Sequence, residues 1–402
     1  MRIGIDARFL THPQPGGFKT YTQSLLSALG ALDTGDDYVV YLDRTPTADT
    51  VLPACPHFHY RVVPGTFPVA GMPWREQIGL RRHLARDGVQ LVHFPCNTAT
   101  VGLALPYVVT LHDTIQLTTP TSVGRSPGQW KHWAITTYSK QSVVHAARGA
   151  ACLLTVSECV REDIHATLGI PRERIAVTYQ GPNPRFVPVD ATRREAWGAD
   201  LATRLDVRGP YILGVGYEAR KNMPLLIDAF AQLAATVPDM MLVIVAAEAE
   251  VRNRLWKQAV ARGLGQRARI LGRLPFEDLL RLYSLAALFA FPSGREGYGL
   301  PPLEAMACGV PTLVMRASSL PEVVQDGALL VDGADAQVWA AAMGRLLADA
   351  DLRASLRERG LARARQLTWQ QCAEATAAVY RQVFRRAYAP DGMPPSVRPV
   401  VG

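Results

Sequence analysis

The chain has 402 residues, of which 48% are hydrophobic, and its formal net charge is +8. This length exceeds one ordinary core and predicts two domains. No run of 18 apolar residues occurs and MRIGIDARFL has no long apolar core, so we expect neither a membrane-spanning helix nor a secretory signal. The six cysteines form no CxxC pair and no cluster with zinc spacing, which indicates reduced thiols in a cytosolic protein.

Short apolar runs alternate with helical segments along the whole chain. The predicted strands are 2–6, 38–42, 91–94, 107–111, 151–156, 211–216, 240–246, 269–272, 288–291 and 312–315. Amphipathic segments such as 21–32 and 222–237 lie between them. Strands that are apolar throughout and separated by helices are typical of parallel sheets covered on both faces. The fold class is therefore α/β.

The pattern runs twice. We predict a first Rossmann-like domain at 1–180, a linker at 181–204 and a second Rossmann-like domain at 205–370. Residues 371–388 are predicted as a terminal helix that crosses back to the first domain, and 389–402, with four prolines, as a disordered tail. Ligands of doubly wound sheets bind outside the carboxyl ends of the strands, so we expect the two domains to face each other across a cleft.

Two loops of the first half follow predicted strands. Gly16 and Gly17 lie before a helix, where glycine lets the backbone approach a ligand; a loop that serves no ligand is the alternative. His112 follows the strand 107–111, and an isolated histidine there is more often structural. Asp113 either orients His112 or only caps the loop. Ser157, after the strand 151–156, is predicted to be a helix N-cap.

Basic residues concentrate in two stretches. Residues 114–157 contain no acid but several basic and aromatic side chains: Arg125, Lys131, Lys140, Arg148, Trp130, Trp133 and Tyr138. This combination is typical of contact with an anionic membrane or a phosphate-bearing acceptor, and a solvated face is the alternative. Residues 353–386 carry eight arginines against two glutamates. No nucleic-acid-binding motif accompanies either stretch, so nucleic acid is not expected as a partner.

The segment GVGYEARKN (214–222) follows a predicted strand of the second half. Its letters fit the dinucleotide pattern GxGxxA at Gly214, Gly216 and Ala219, with Glu248 at the end of the next strand-like run. That pattern is the basis for an NAD-dependent oxidoreductase as an alternative. Arg220 and Lys221 favour another ligand, because two cations at a strand end beside a helix N-terminus suit a diphosphate. A surface basic pair is the plain alternative.

The stretch SGREGYGLPPLEAMACGVPTLV (293–314) holds two acids. Glu296 lies in a loop past a predicted strand. Glu304 is predicted in the first turn of a helix that starts near Pro301 and Pro302 and ends at Gly309. The plain alternative is that Glu304 only favours the helix dipole and that Glu296 is solvated. The N-terminus of that helix also offers unpaired N–H groups to an anion such as a phosphate.

REGYGLPPLEAMACGVPTLV closely resembles the two-glutamate signature of the family-4 retaining glycosyltransferases, which have the GT-B fold, and the resemblance extends from RIGIDARFL to the terminal helix. It implies transfer of a sugar from a nucleotide-sugar donor, with retained anomeric configuration, to a saccharide or lipid-linked acceptor. In that family the second glutamate, here Glu304, binds the ribose hydroxyls, and the first, here Glu296, binds the donor sugar. The family's Arg/Lys pair, here Arg220 and Lys221, neutralises the leaving diphosphate.

The resemblance also implies the remaining site residues. A histidine at the position of His112 lies beside the transferred sugar, and a glycine pair contacts the donor phosphate or the acceptor. The implied catalytic residues are Glu296, His112, Arg220 and Lys221. The implied donor-binding residues are Gly16, Gly17, Arg220, Lys221, Glu296, Gly297, Tyr298, Gly299, Leu300 and Glu304. We expect no cofactor and no metal, because the DAD at 349–351 lies in a helical stretch and is no metal-binding DxD.

Two further segments refine the prediction. MRIGIDARFL and EARKNMPLLIDAF most resemble bacterial mannosyltransferases of surface-polysaccharide assembly, which favours GDP-mannose over a UDP-sugar or another GDP-sugar. We expect a cytoplasmic enzyme, peripheral on the inner face of the cell membrane; a non-catalytic sugar-binding relative is a further alternative.

Ser319 and Glu322 are predicted to form a capping box, with Ser318 a weak phosphate candidate.

Overall fold

The structure is a computed structural model that describes residues 1–13, 16–47, 50–65, 71–119 and 127–389; within 127–134 only the side chain of Trp133 is described. The chain divides into two compact units. The first comprises Met1–Tyr179 and the C-terminal segment that begins at Trp369, and the second comprises Gln180–Thr368. The predicted disordered tail lies, apart from residue 389, outside the described residues.

The first unit contains a seven-stranded parallel sheet in the order β3-β2-β1-β4-β5-β6-β7. Its strands are β1 (Arg2–Asp6), β2 (Asp37–Leu42), β3 (Phe58–Val62), β4 (Leu91–Phe94), β5 (Tyr107–Leu111), β6 (Cys152–Thr155) and β7 (Ile175–Val177). The outermost strands β3 and β7 were not predicted. A strand at an edge has one neighbour instead of two, and accordingly β3 and β7 each have only one buried residue, Phe58 and Ile175.

The second unit contains a six-stranded parallel sheet in the order β10-β9-β8-β11-β12-β13. Its strands are β8 (Tyr211–Val215), β9 (Met241–Val245), β10 (Ala268–Leu271), β11 (Leu288–Phe291), β12 (Thr312–Met315) and β13 (Leu329–Val331). The strand order reverses direction between β8 and β11, which makes the carboxyl ends of these two neighbours the expected ligand edge. Both sheets are parallel, and the α/β class is confirmed.

Helices connect the strands in both units. In the first unit they are α1 (Arg8–Thr11), α2 (Gly17–Ala31), α3 (Gly71–Trp74), α4 (Leu80–Arg86), α5 (Ile115–Thr118), α6 (Pro127–Gly149) and α7 (Glu158–Leu168). In the second they are α8 (Ala191–Leu205), α9 (Met223–Leu233), α10 (Ala249–Ala261), α11 (Phe276–Leu285), α12 (Leu300–Ala307), α13 (Leu320–Val324), α14 (Ala336–Ala348) and α15 (Ala350–Gln366). The last helix is α16 (Trp369–Tyr388). None of these described helices is both long and apolar enough to cross a membrane.

Helix α16 packs on the first unit. Its apolar residues recur every three or four positions, so they share one face of the helix: Trp369, Cys372, Ala373, Ala377, Tyr380 and Val383. This face joins the same core as Ile3 and Leu25. A fully buried large apolar side chain contributes roughly 1.5–3 kcal/mol, so the face fixes the helix to its sheet.

The predicted linker at 181–204 is wrong for most of its length. Helix α8 occupies Ala191–Leu205, begins with Asp190 as its N-cap and belongs to the second unit. Both guanidinium nitrogens Nη1 and Nη2 of Arg204 bind the Asp278 carboxylate, at 2.8 and 2.9 Å, and so join α8 to α11. The segment looks like a linker because Leu201 is the only fully buried residue of α8.

Candidate active site

The loops after β8 and β11 lie at one edge of the second sheet. The two strands pair in parallel, with Leu288 opposite Ile212, so their carboxyl ends meet. A single 3₁₀ turn, Ala219–Lys221, follows β8, and residues 292–299 follow β11. The N–H of Gly294 donates to the Arg220 carbonyl at 3.0 Å and ties the two loops together.

Glu296 is held by two cations and a hydroxyl. Its Oε1 lies 2.7 Å from Lys221 Nζ, and its Oε2 lies 2.7 Å from Arg220 Nη1. Ser293 Oγ donates to Oε1 at 2.5 Å. Only 7% of Glu296 is exposed, and burial alone would raise the pKa of its carboxyl; Lys221 and Arg220 nevertheless hold that pKa below its usual value. Glu296 is therefore an ionised carboxylate in a fixed position.

The Lys221 side chain packs over Gly216. A Cβ added to Gly216 would come within 2.7 Å of Lys221 Cγ, and the backbone of Gly216 has a φ of +151°. The ammonium of Lys221 lies 4.8 Å from the centre of the Phe291 ring. The glycine that fits the dinucleotide pattern thus accommodates a side chain of its own loop, which disfavours the oxidoreductase alternative.

Glu304 has a different environment. Helix α12 begins at Leu300, after Gly299 with a φ of +114°, and Pro301 and Pro302 lie in its first turn. Glu304 therefore opens the second turn, and its prediction in the first turn was wrong by one residue, since the helix begins before the prolines. Its side chain is half-buried beside Tyr283, and burial raises the pKa of its carboxyl to about 7. Gly309, with a φ of +72°, follows the end of the helix as predicted.

Two serines hold the backbone of the glutamate loop. Ser318 Oγ donates to the Glu296 carbonyl at 2.7 Å, and Ser319 Oγ donates to the carbonyls of Glu296 and Tyr298, at 3.1 and 2.9 Å. Ser319 precedes α13 but makes no capping hydrogen bond with its side chain, so the predicted capping box is wrong. The buried carbonyls at 296 and 298 need donors, and these hydroxyls supply them.

The donor-binding residues between the glutamates contribute unequally. The Tyr298 side chain is buried and its hydroxyl donates to the Gln180 carbonyl, so only its backbone faces the loop surface. A Cβ at Gly299 would come within 2.7 Å of Leu320, which excludes a larger residue. Gly297 and Leu300 are half-buried at the same junction of loop and helix. Their contact with a donor stays a prediction.

In the first unit, His112 follows β5 and is neutral. Its Nε2 lies 2.8 Å from the Pro95 carbonyl, so that nitrogen carries the proton, and burial lowers the pKa of the imidazole. The centre of its ring lies 4.6 Å from the centre of the Tyr21 ring, in an edge-to-face arrangement. Asp113 Oδ1 accepts from the Ile115 N–H at 2.9 Å, so it caps the loop.

A buried polar chain behind His112 was not predicted. Tyr380 OH on α16 lies 2.6 Å from His93 Nδ1, and His93 Nε2 lies 2.8 Å from Thr110 Oγ1. Tyr21 OH, whose ring touches His112, lies 3.2 Å from the same Thr110 hydroxyl. The available signal was a histidine and a threonine inside otherwise apolar strands.

The other predicted positions of the first unit are simpler. Helix α2 begins at Gly17, and Gly16, with a φ of +145°, precedes it; both glycines are exposed, and a Cβ on either would meet nothing within 4 Å. Ser157 Oγ accepts from the Val160 N–H at 3.2 Å, which confirms the N-cap. Asp349 caps α15 by accepting from Leu352 N–H at 2.9 Å, which fits the structural role predicted for that stretch. Among the described residues, no group of three or more His, Cys, Asp or Glu could hold a metal ion.

Two family models match the chain. The model described as Glycosyltransferase Family 4 matches residues 15–186, and the model described as Glycosyl transferases group 1 matches residues 203–363. The chain belongs to the family-4 glycosyltransferases with the GT-B fold. The predicted resemblance is thereby confirmed for both halves of this glycosyltransferase.

Two curated bacterial relatives are named as glycosyltransferases. The chain is 33% identical over 246 residues to the O-antigen chain mannosyltransferase B of Escherichia coli, covering 61% of this chain and 64% of that protein. It is 36% identical over 216 residues to a D-inositol 3-phosphate glycosyltransferase of Corynebacterium jeikeium, covering 50% and 52%. The chain thus spans about half to two thirds of the length of these relatives.

Solved structures show the same fold. Sucrose-phosphate synthase from Thermosynechococcus elongatus superposes with a TM-score of 0.73 at 22% identity, over 96% of this chain and 99% of that one. Anabaena HepE in complex with UDP and glucose gives a TM-score of 0.71 at 19% identity, over 94% and 99%. At such identities the likeness concerns the fold of the glycosyltransferase alone.

Proposed function

We propose that this chain is a retaining hexosyltransferase that uses a nucleotide-sugar donor, with GDP-mannose as the first candidate. The observation that carries the proposal is the cluster at the ligand edge of the second sheet, where Arg220 and Lys221 each lie 2.7 Å from Glu296. Glu304 follows in the adjoining helix. The relatives that are named mannosyltransferases of the O-antigen support mannose as the sugar and a saccharide or lipid-linked acceptor in surface-polysaccharide assembly.

The cluster has the charges that a nucleotide sugar requires. A lysine ammonium has three N–H donors and an arginine guanidinium has five, so one carboxylate does not exhaust them. We assign the diphosphate to Arg220 and Lys221, the ribose hydroxyls to Glu304, and the sugar hydroxyls to Glu296. Cations that are fixed before the reaction stabilise negative charge as it develops on the leaving diphosphate.

The transfer needs no protein nucleophile. The bond between the sugar C1 and the diphosphate oxygen breaks, the acceptor oxygen bonds to C1 on the same face, and the acceptor proton passes to the diphosphate. Glu296 orients the sugar for this step. His112 is assigned to the same sugar, with its proton held on Nε2 by the Pro95 carbonyl so that Nδ1 can only accept. The glycine pair, Gly16 and Gly17, is assigned to the donor phosphate or the acceptor.

A donor screen tests the proposal. The full chain is melted with GDP-mannose, UDP-glucose, GDP, UDP and NADH, because a ligand at 100 times its Kd adds about 2.7 kcal/mol to the free energy of unfolding. We expect GDP-mannose and GDP to raise the melting temperature and NADH to have no effect. Proton NMR of the glycoside formed with an added acceptor then reports whether the α configuration is kept. Stabilisation by NADH alone, or an inverted product, contradicts the proposal.

Contact with an anionic membrane remains part of the proposal. The basic stretch 114–157 motivates it, although residues 120–126, including Arg125, lie outside the described residues. Each basic residue near an anionic surface contributes about 1 kcal/mol. We expect more protein to sediment with vesicles of phosphatidylglycerol than with phosphatidylcholine at low salt. Equal sedimentation would assign the stretch to another partner.

A further inference from the structure

A pocket of about 340 Å³ opens at the opposite edge of the second sheet. Ala286 and Ala287, which precede β11, and Gly309 and Pro311, which precede β12, line it. Strand β11 is four residues long and therefore spans about 13 Å between this edge and the edge that carries Glu296. The pocket is thus separate from the proposed donor site, and its volume is within the range of small-molecule sites, about 300–1,000 Å³.

Three arginines converge on this pocket, and we name it the arginine pocket after Arg194, Arg353 and Arg357. Arg194 lies on α8, and the other two lie one turn apart on α15. Each donates from Nη1 to a backbone carbonyl: Arg194 to Ser284 at 2.9 Å, Arg353 to Leu346 at 2.8 Å, and Arg357 to Gly309 at 3.0 Å. These carbonyls belong to the C-terminal ends of α11, α14 and α12 or to the residue just past them.

Helix capping accounts for only part of this arrangement. A helix C-terminus carries about −0.5 charge, so three of them offset roughly half of three positive charges. No carboxylate lines the pocket, and within the described ranges none of the three arginines makes an ion pair. Each guanidinium has five N–H donors on three nitrogens and uses one nitrogen, Nη1, for its carbonyls. Like charges around one concavity repel each other unless an anion lies between them.

We propose that the arginine pocket binds a phosphate-bearing anion, independently of the donor. Planar guanidinium groups bind phosphate oxygens in pairs, and three of them from two helices surround a concave volume. The phosphate belongs either to a soluble compound or to a lipid headgroup. The proposal also gives a role to the arginine-rich start of the stretch 353–386.

Calorimetric titration of the full chain with inorganic pyrophosphate tests the site. The double variant Arg353→Gln/Arg357→Gln should bind at least about tenfold more weakly than the wild type, since a charge-assisted hydrogen bond is lost at each position. Arg365→Gln is the matched control, because Arg365 is an exposed arginine of the same helix that does not line the pocket. Arg194→Gln, on another helix, should reproduce the loss and keeps the test valid if the double variant fails to fold.

The variant Arg220→Gln separates this site from the donor site. The arginine pocket should still bind pyrophosphate in Arg220→Gln, whatever becomes of the donor affinity. Pyrophosphate binding that vanishes in Arg220→Gln and persists in both pocket variants would place the only phosphate site at the donor edge and overturn the proposal. Binding that is equal in wild type, pocket variants and control would overturn it as well.

Vesicles distinguish the two sources of phosphate. Sedimentation with phosphatidylglycerol vesicles is compared between the double variant and Arg365→Gln. If the double variant, but not the control, loses both vesicle binding and pyrophosphate binding, the result supports the site and identifies a lipid headgroup. If the double variant loses pyrophosphate binding but keeps vesicle binding, the result supports the site and identifies a soluble phosphate compound.

Discussion

Glu296 and Glu304 are carboxylates of one loop and its helix, yet their environments shift their pKa values in opposite directions. Burial raises the pKa of both carboxyls. At Glu296 the positive charges of Lys221 and Arg220 outweigh burial and the pKa falls below its usual value. At Glu304 the main neighbour is the neutral Tyr283, and the pKa rises to about 7. Partner charge, rather than depth, therefore decides which carboxylate is permanently ionised.

The opposite pKa shifts indicate different roles for the two glutamates. Glu296 is fixed between cations and can hold a sugar in one orientation without a change of its own protonation. At Glu304 the charge of Lys221 also lowers the pKa, but burial raises it more, so a ligand that donates hydrogen bonds would stabilise the ionised form. Four experiments can break or sharpen this comparison.

The largest effect is expected from Lys221→Met, which removes one partner of a buried ion pair while keeping most of the side-chain volume. Removing one partner of a buried ion pair costs about 3–5 kcal/mol, and because Arg220 still lies 2.7 Å from Glu296, we expect the free energy of unfolding in urea to fall by about 3 kcal/mol. Lys257→Met, at an exposed lysine, is the control and should change little. If both variants unfold at the same urea concentration, Lys221 does not hold Glu296.

Changing each of the two glutamates to glutamine should affect binding and turnover differently. Glu304→Gln should weaken the affinity for nucleoside diphosphate and for intact donor alike by about ten- to a hundredfold, as a charge-assisted hydrogen bond is lost. Glu296→Gln should keep the nucleoside diphosphate affinity, because the two cations remain, and should lower turnover at saturating donor. Calorimetric titration with GDP measures the affinity, and an activity assay at saturating donor measures the turnover. The reverse pattern would mean that the roles are exchanged, and no change in either would make the stretch structural.

Part of the pH dependence of GDP binding should come from Glu304. With a pKa of about 7, its ionised fraction rises about tenfold between about pH 6 and pH 8, and the affinity for GDP should increase with it. The variant Glu304→Gln contains the same titrating phosphate but not the carboxyl, so the difference between the two proteins isolates Glu304. The free energy of unfolding should change with pH in the opposite direction to the affinity for GDP. A folded pKa above the unfolded one makes the free energy of unfolding fall as pH rises from about 4.5 to about 7.

The smallest effect is expected from Ser293→Ala. Its hydroxyl donates to Glu296 Oε1 at 2.5 Å, but both cations remain in the variant. A single hydrogen bond contributes about 1 kcal/mol net, so turnover should fall about fivefold while GDP affinity is unchanged. Ser355→Ala, at an exposed serine of α15, is the matched control. A loss of GDP affinity in Ser293→Ala would show that Glu296 supports the nucleotide as well as the sugar.

Local pattern was enough to predict most of the fold. Nine of the ten predicted apolar runs coincide with central strands to within about two residues, because a strand buried on both faces must be apolar along its length, and the tenth coincides with the edge strand β10. The three missed strands, Phe58–Val62, Ile175–Val177 and Leu329–Val331, lie at sheet edges, where burial and length are both smaller. The helix α8 was missed because its residues are mostly exposed and it packs through contacts with α11.

The sequence by itself determined the fold class, the family and the candidate residues Arg220, Lys221, Glu296 and Glu304. Those inferences depend on residue type and spacing along the chain. Only the tertiary structure decided which charges meet: that Lys221 fills the space over Gly216 and pairs with Glu296, and that Ser319 binds loop carbonyls instead of capping its helix. The same holds for Arg194 and Arg357, which lie 163 positions apart in the chain and line one pocket. A charge acts over a few ångströms of space, and separation along the chain does not record that distance.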